Sequence, residues 1–297
     1  DGGHWFFNRN MEGSDNTVTS VQSGEWNEAH LDNVIGDANN IEISQEGYYN
    51  VIRVTDLQGQ SNDVEIEQEG DRNQTTIASL LGDENDIEIS QDGNNNSALS
   101  DIFTGSENEV TLTQLGDDNS SSFDVIGDSN EYSITQAGNE NTSYVGVLGS
   151  DNDIDVIQAG DENTLIVQAS ADDNSLTANS NEINVEQSGN QNDAVVNMST
   201  ILDTNANTID IAQNGDLNSL DILVEGSEHN IDIAQIGDEN LVIGADGGAM
   251  LIGGASVELS ISQTGNGNLI EGSLISGLGQ VDITKVGDWN SAIIVQQ

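Results

Sequence analysis

The stretch Asn85-Asp86-Ile87-Glu88-Ile89-Ser90-Gln91-Asp92-Gly93-Asn94-Asn95-Asn96 decides the fold. Asn85, Ile87, Ile89 and Gln91 fall on one side of a period of two; Asp86, Glu88 and Ser90 fall on the other. Successive side chains of an extended chain point to opposite faces, so this pattern makes a β-strand with one dry and one wet face. A helix would need apolar residues three and four apart, and the stretch has none. Gly93 to Asn96 then reads as a tight reversal, because glycine takes positive φ at no cost and asparagine tolerates the left-handed region.

The same frame recurs along the chain. Gln-x-Gly-x-x-Asn starts at Gln22, Gln45, Gln68, Gln91, Gln114, Gln136, Gln158, Gln187, Gln213, Gln235 and Gln263, and a twelfth copy has Lys285 in place of glutamine. The turn glycines are Gly24, Gly47, Gly70, Gly93, Gly116, Gly138, Gly160, Gly189, Gly215, Gly237, Gly265 and Gly287. After the first copy the asparagines are Asn50, Asn73, Asn96, Asn119, Asn141, Asn163, Asn192, Asn218, Asn240, Asn268 and Asn290. Most steps are nearly equal, such as Gln45 to Gln68 and Gln114 to Gln136. The longer ones, such as Gln158 to Gln187, mark insertions near Ala169–Asn179, Ser199–Asn205 and Gly244–Gly254. A recurrent period of this order signals a solenoid.

A second alternating run follows each turn, for example Leu220, Ile222 and Val224 after Asn218. Many units close with another Gly-x-x-Asn, as at Gly82–Asn85 and Gly149–Asn152. One unit is therefore strand, turn, strand, turn. The expected fold is all-β: a two-sheet β-solenoid of about twelve rungs over residues 16–297, preceded by a non-repeat segment, residues 1–15. Stacked rungs place equal residues above one another at roughly 4.8 Å. Columns of Ile and Val would form a dry core. The glutamine and asparagine columns would pair their amides along the stack, which satisfies polar groups that are costly to bury alone.

Composition excludes several functions. The chain carries 53 acidic residues against four basic ones, for a formal charge of −49. No patch can neutralise phosphates, so no nucleic-acid partner is expected. Anionic membrane surfaces would repel the chain, and no apolar run is long enough to mark a membrane span. Cysteine is absent, which removes disulfides and thiolate-ligated metals. Only His4, His30 and His229 are available for acid–base work; they sit at unrelated points of the frame, and no catalytic residue is expected. No cofactor is expected either. Acidic turns such as Gly160-Asp161-Glu162-Asn163 offer hard oxygen ligands, which leaves weakly bound calcium as an open alternative, without a defined metal site.

These residues resemble the repeat of the curlin family, in which Gln-x-Gly-x-x-Asn is framed by a leading serine and a second glutamine. Eleven units here keep the central motif. The leading serine is mostly asparagine. The second glutamine is replaced by Ile102, Val125, Val147, Met198 and Val224, with Gln296 retained. The resemblance implies a subunit of extracellular, cell-surface curli-like fibres, exported through a curli-type pore and seeded by a nucleator. The alternative is a monomeric or minor adhesin or nucleator. For residues 1–12, with Trp5, Phe6 and Phe7, a secretion-targeting tail and an apolar cap over the first rung both remain open.

Unprotected strand edges template further pairing. The stretch Ser291–Gln297 has no charged side chain, proline or glycine. The expected polymerisation edges are therefore Ile293, Ile294, Val295 and Gln296 at one end and Val18 and Gln22 at the other. A head-to-tail contact of this kind does not close, so the chain's partner would be further copies of itself in a filament.

Overall fold

The computed structural model describes residues 3–7, 10–169, 176–198, 202–272, 274–276 and 279–294. Among them every regular element is a β-strand, with no helix. The chain divides into two compact units, Asp1–Glu140 and Asn141–Gln297. Both follow the same plan, with six rungs each.

In the first unit one sheet stacks Thr17–Glu25, Asn40–Tyr48, Asp63–Glu69, Asp86–Asp92, Glu109–Leu115 and Glu131–Ala137, all parallel. In the second unit the corresponding sheet stacks Asp153–Ala159, Glu182–Ser188, Thr208–Asn214, Asn230–Ile236, Val257–Thr264 and Gly279–Val286. Register is strict: Ile87 faces Val64 and Val110, and Gln91 faces Gln68 and Gln114. A slip of one residue would bury the Asp/Glu face, so the pattern itself enforces this pairing. Ile41, Ile43, Val64, Ile66, Ile87 and Ile89 are all buried.

The second-sheet strands of each rung complete the sandwich, for example Val51–Gln58 on Gln74–Leu81 and Thr142–Leu148 on Thr164–Ala169. Insertions interrupt this sheet. The insertion beyond Leu241–Gly244 loops out and pairing resumes at Met250, which faces Ile222. Ala178 likewise resumes opposite Thr204.

Two expectations are corrected. First, besides the glycine, the turn residue with positive φ is the one before asparagine and not the asparagine itself: Asn95 (58°) before Asn96, Glu84 (58°) before Asn85 and Trp26 (62°) before Asn27. The recurring asparagine serves through its side chain, as described below. Second, Ile102 does not occupy the place of the second glutamine. It is 45% exposed, and Phe103 takes the inward place, facing Leu80 and Val125. The cause is the length of the longer rungs: Val54 and Leu57, then Ile77 and Leu80, are inward with the same displacement, and the shorter rung of Val125 lacks the extra residue. The extra residue forms a bulge. The Asp124 carboxylate accepts the freed N–H groups of Asp101 (3.2 Å) and Ile102 (3.1 Å). Val125, Met198 and Val224 are buried.

Residues 5–7 and 10–12 extend the second sheet by half a rung. Trp5–Phe6 pairs with Glu28–Ala29, and Asn10–Met11 pairs with Asn33 and Val34. Gly13 (φ 97°) and Asp15 (61°) then make the usual turn into the first rung.

Candidate functional site: amide ladders and open strand edges

Within each unit the inward glutamines are joined by Nε2 of one donating to Oε1 of the glutamine one rung on. In the first unit the ladder runs Gln22 to Gln45 (2.6 Å), Gln68 (2.9 Å), Gln91 (2.8 Å), Gln114 (2.8 Å) and Gln136 (2.8 Å). In the second it runs Gln158 to Gln187 (2.9 Å), Gln213 (2.8 Å), Gln235 (2.9 Å) and Gln263 (3.0 Å). The remaining Nε2 hydrogen crosses the sandwich to a second-sheet carbonyl of the preceding rung, as from Gln91 to Gln74 (3.2 Å) and Gln213 to Asp193 (2.9 Å). Glutamine therefore ties rung to rung and sheet to sheet, a role that periodicity alone did not disclose. Gln45 through Gln263 in this column are buried; burial without these partners would be costly.

The asparagine columns run with the opposite polarity. Asn62 Oδ1 accepts both the backbone N–H (3.0 Å) and Nδ2 (3.0 Å) of Asn85 on the next rung, and Asn85 Nδ2 also donates to Gly105 C=O (2.9 Å). Asn119 and Asn96 repeat the arrangement at the other turn, as do Asn240, Asn268 and Asn290. Asn50 and Asn73 direct Nδ2 instead to Glu46 and Glu69 C=O and to the next turn glycine. Asn141, Asn163, Asn192 and Asn218 link in series through their amides. Glycine is required in the turns because the rungs nearly touch there. A Cβ on Gly93 would stand 2.0 Å from Gly116 O.

His229 stands where other turns of this type have asparagine, and it is buried. Its Nδ1 accepts Val257 N–H (3.1 Å) and its Nε2 faces Glu225 C=O (3.2 Å), so the ring copies the acceptor and donor of an asparagine amide. That geometry demands a neutral ring protonated on Nε2. Burial pushes its pKa down, against the Glu225 carbonyl contact. Nothing along the chain signalled this role beyond the offset of His229 within the turn Gly226–His229.

The wet face carries stacked carboxylates. Glu42, Glu65 and Glu88 are in register. Glu65 is held above the usual carboxylate range by lost hydration first and by Glu42, Glu88, Asp63 and Glu67 next. Asp86 is raised by lost hydration and by Asp63. Among the described residues no three His, Asp or Glu side chains converge in a way that could hold a metal ion.

At the first rung, Val18 and Gln22 are half-buried, and no first-sheet strand precedes theirs among the described residues. At the last, Lys285 faces Gln263 in the ladder column but offers no acceptor. Gln263 Nε2 turns instead to Leu241 C=O (3.3 Å) and Asn268 C=O (2.9 Å). In the second sheet Ser291–Ile294 pairs with Leu269–Gly272 on one side, leaving Ile293 67% exposed. Val295 and Gln296 lie outside the described residues. Trp26 and Tyr49 stack at 6.3 Å with planes 5° apart, and Trp5, Phe7 and His30 adjoin them around an open groove.

No curated protein matches the chain. The curlin associated repeat matches residues 13–47, 36–70, 82–116, 105–138, 127–160 and 204–241, together more than half of the sequence. On that match, and on the two-sheet parallel solenoid with its Gln-x-Gly-x-x-Asn ladder, the chain belongs to the curlin repeat family.

Proposed function

We propose that this chain is a structural subunit of extracellular curli-like amyloid fibres of the biofilm matrix, acting in adhesion rather than catalysis. Copies join head to tail, the Gly279–Val286 edge of one meeting the Thr17–Glu25 edge of the next. The observation that carries the reading is the ladder with unfilled ends. Gln22 Oε1 has no ladder donor before it, and Lys285 is a donor with no following rung among the described residues. In the joint, Lys285 Nζ donates to Gln22 Oε1, which continues the polarity seen between successive glutamines. Val281 then meets Val18, apolar on apolar. Export through a curli-type pore and seeding by a nucleator belong to the same reading.

The test is dilution of the denatured chain into buffer at several salt concentrations, followed by electron microscopy and fibre diffraction. Unbranched filaments with an axial repeat of about 4.8 Å support the proposal. Stacked carboxylates repel across the joint, and salt screens them within about 10 Å at 0.1 M. Fibre growth is therefore expected to quicken with ionic strength. Soluble β-rich monomers at every salt concentration would refute the subunit reading.

A further inference from the structure

We infer that the N-terminal half-rung, residues 5–7 and 10–12, occupies the slot that a second copy needs, and that it must unpair before a seamless joint forms. The inference rests on the self-assembly reading above and follows from strand order. In each rung a second-sheet strand follows its first-sheet strand at the same level, and the next turn leads one level on. Val51–Gln58 lies between Glu28–Ala29 and Gln74–Leu81, and the turn after it enters Asp63–Glu69. A neighbouring copy that sets its Gly279–Val286 strand against Thr17–Glu25 brings its Ser291–Ile294 strand to the level just before Glu28–Ile35. That level is already filled by Trp5–Phe6 and Asn10–Met11 of the receiving copy. Two strands cannot share it.

The resident strand is the more weakly held. It makes two separate two-residue pairings, whereas Ser291–Ile294 makes four consecutive pairs with Leu269–Gly272. Trp5 N–H donates to Asn27 C=O, Phe7 N–H to Ala29 C=O and Glu12 N–H to Val34 C=O, each at 3.0 Å; an incoming strand takes over this edge. Phe6 and Met11, which face the columns of Ala29 and Val34, are each 42% exposed. The half-rung thus caps the second sheet and leaves the first-sheet edge at Thr17–Glu25 open, so an end in the monomer is half protected. Its displacement by a second copy is a strand exchange that gates addition.

The experiment compares seeded fibre elongation by the full chain, by the chain lacking residues 1–12, and by a Trp5→Cys/Glu28→Cys variant. The last pair faces outward on adjacent parallel strands, at a spacing a disulfide spans. The chain has no other cysteine, so the staple is specific and reversible. The truncated chain is expected to elongate faster. The oxidised variant is expected to elongate roughly tenfold or more slowly, since unpairing of the half-rung is then blocked, and to recover on reduction. Equal rates for all three, or slower growth of the truncated chain, would overturn the inference while leaving the fibre reading intact. Failure of every form to make fibres at any salt concentration would overturn both.

Discussion

Replacing Gln91 by glutamate tests the ladder with almost no change of shape. Gln91 is buried. Its Nε2 donates to Gln114 Oε1 at 2.8 Å and Gln74 C=O at 3.2 Å, and its Oε1 accepts from Gln68 Nε2 at 2.8 Å and Thr75 Oγ1 at 3.2 Å. Gln91→Glu keeps both acceptances and loses both donations, setting a carboxylate oxygen against two other oxygens. The ionised form is so unfavourable there that the group protonates instead. Doing so at pH 7, against an ordinary value near 4.3, costs about 3.7 kcal/mol. A protonated glutamate has one O–H where the amide had two N–H, so one lost hydrogen bond adds about 1 kcal/mol. The expected loss is about 5 kcal/mol at pH 7, shrinking to about 1 kcal/mol near pH 4. Amide hydrogen exchange over Asp86–Asp92 and Glu109–Leu115, corrected for intrinsic rates, reads the local opening free energy at both pH values. Ser90→Ala, on the wet face of the same strand, serves as the control and is expected within about 0.5 kcal/mol of the parent. Parental protection of Gln91→Glu at pH 7, or an equal loss at pH 4, would refute the ladder's energetic role.

Four further substitutions probe three separate parts of the design. Gly93→Ala puts a Cβ 2.0 Å from Gly116 O at a φ of 129°, and a loss of about 3 kcal/mol or more is expected in chemical denaturation; Asn95→Ala, at 58°, is expected to cost only about 1 kcal/mol. His229 has a folded pKa below its ordinary value near 6.5, so its contribution is intact above that pH and is lost as pH falls from about 6.5 toward the folded value. Glu65, Asp86, Asp193 and Asp221 are raised, which gives the opposite sign: their penalty is relieved as pH falls toward about 4. His229→Asn therefore leaves only the second trend, and its denaturation midpoint is expected to rise from pH 7 to pH 5; a fall matching the parent chain would count against the assignment. Lys285→Gln supplies the acceptor that Gln263 lacks and removes an inward charge from an edge, a device that discourages pairing, so seeded elongation is expected to quicken several-fold; unchanged kinetics would mean that this column does not form the joint.

Much of the architecture was legible because twelve units repeat one pattern. Alternation at Ile87, Ile89 and Gln91 specifies both strand and face, and a slip of one residue would turn all three outward. The lengths of the units were equally visible, but their consequence at Asp101–Phe103 was not. Extending the alternation from Asn96 lands on Ile102, whereas the bulge passes the inward place to Phe103. In each longer rung the surplus residue is passed over before the last inward place, and only the column Leu57, Leu80, Phe103 and Val125 shows that position.

A parallel two-sheet stack, its register and its columns are written in the amino-acid order, since they follow from a period of two repeated at every rung. What each polar column does is settled only by the folded neighbours. A side-chain amide carries a donor and an acceptor, and its polarity depends on groups one rung away that no local pattern names. Hence Gln91 donates forward and across to Gln74, Asn85 donates back to Asn62, and His229 fills the place of an amide. Residues 5–7 and 10–12 lack the motif altogether, and only pairing with Glu28–Ala29 and with Asn33 and Val34 gives them a level in the second sheet.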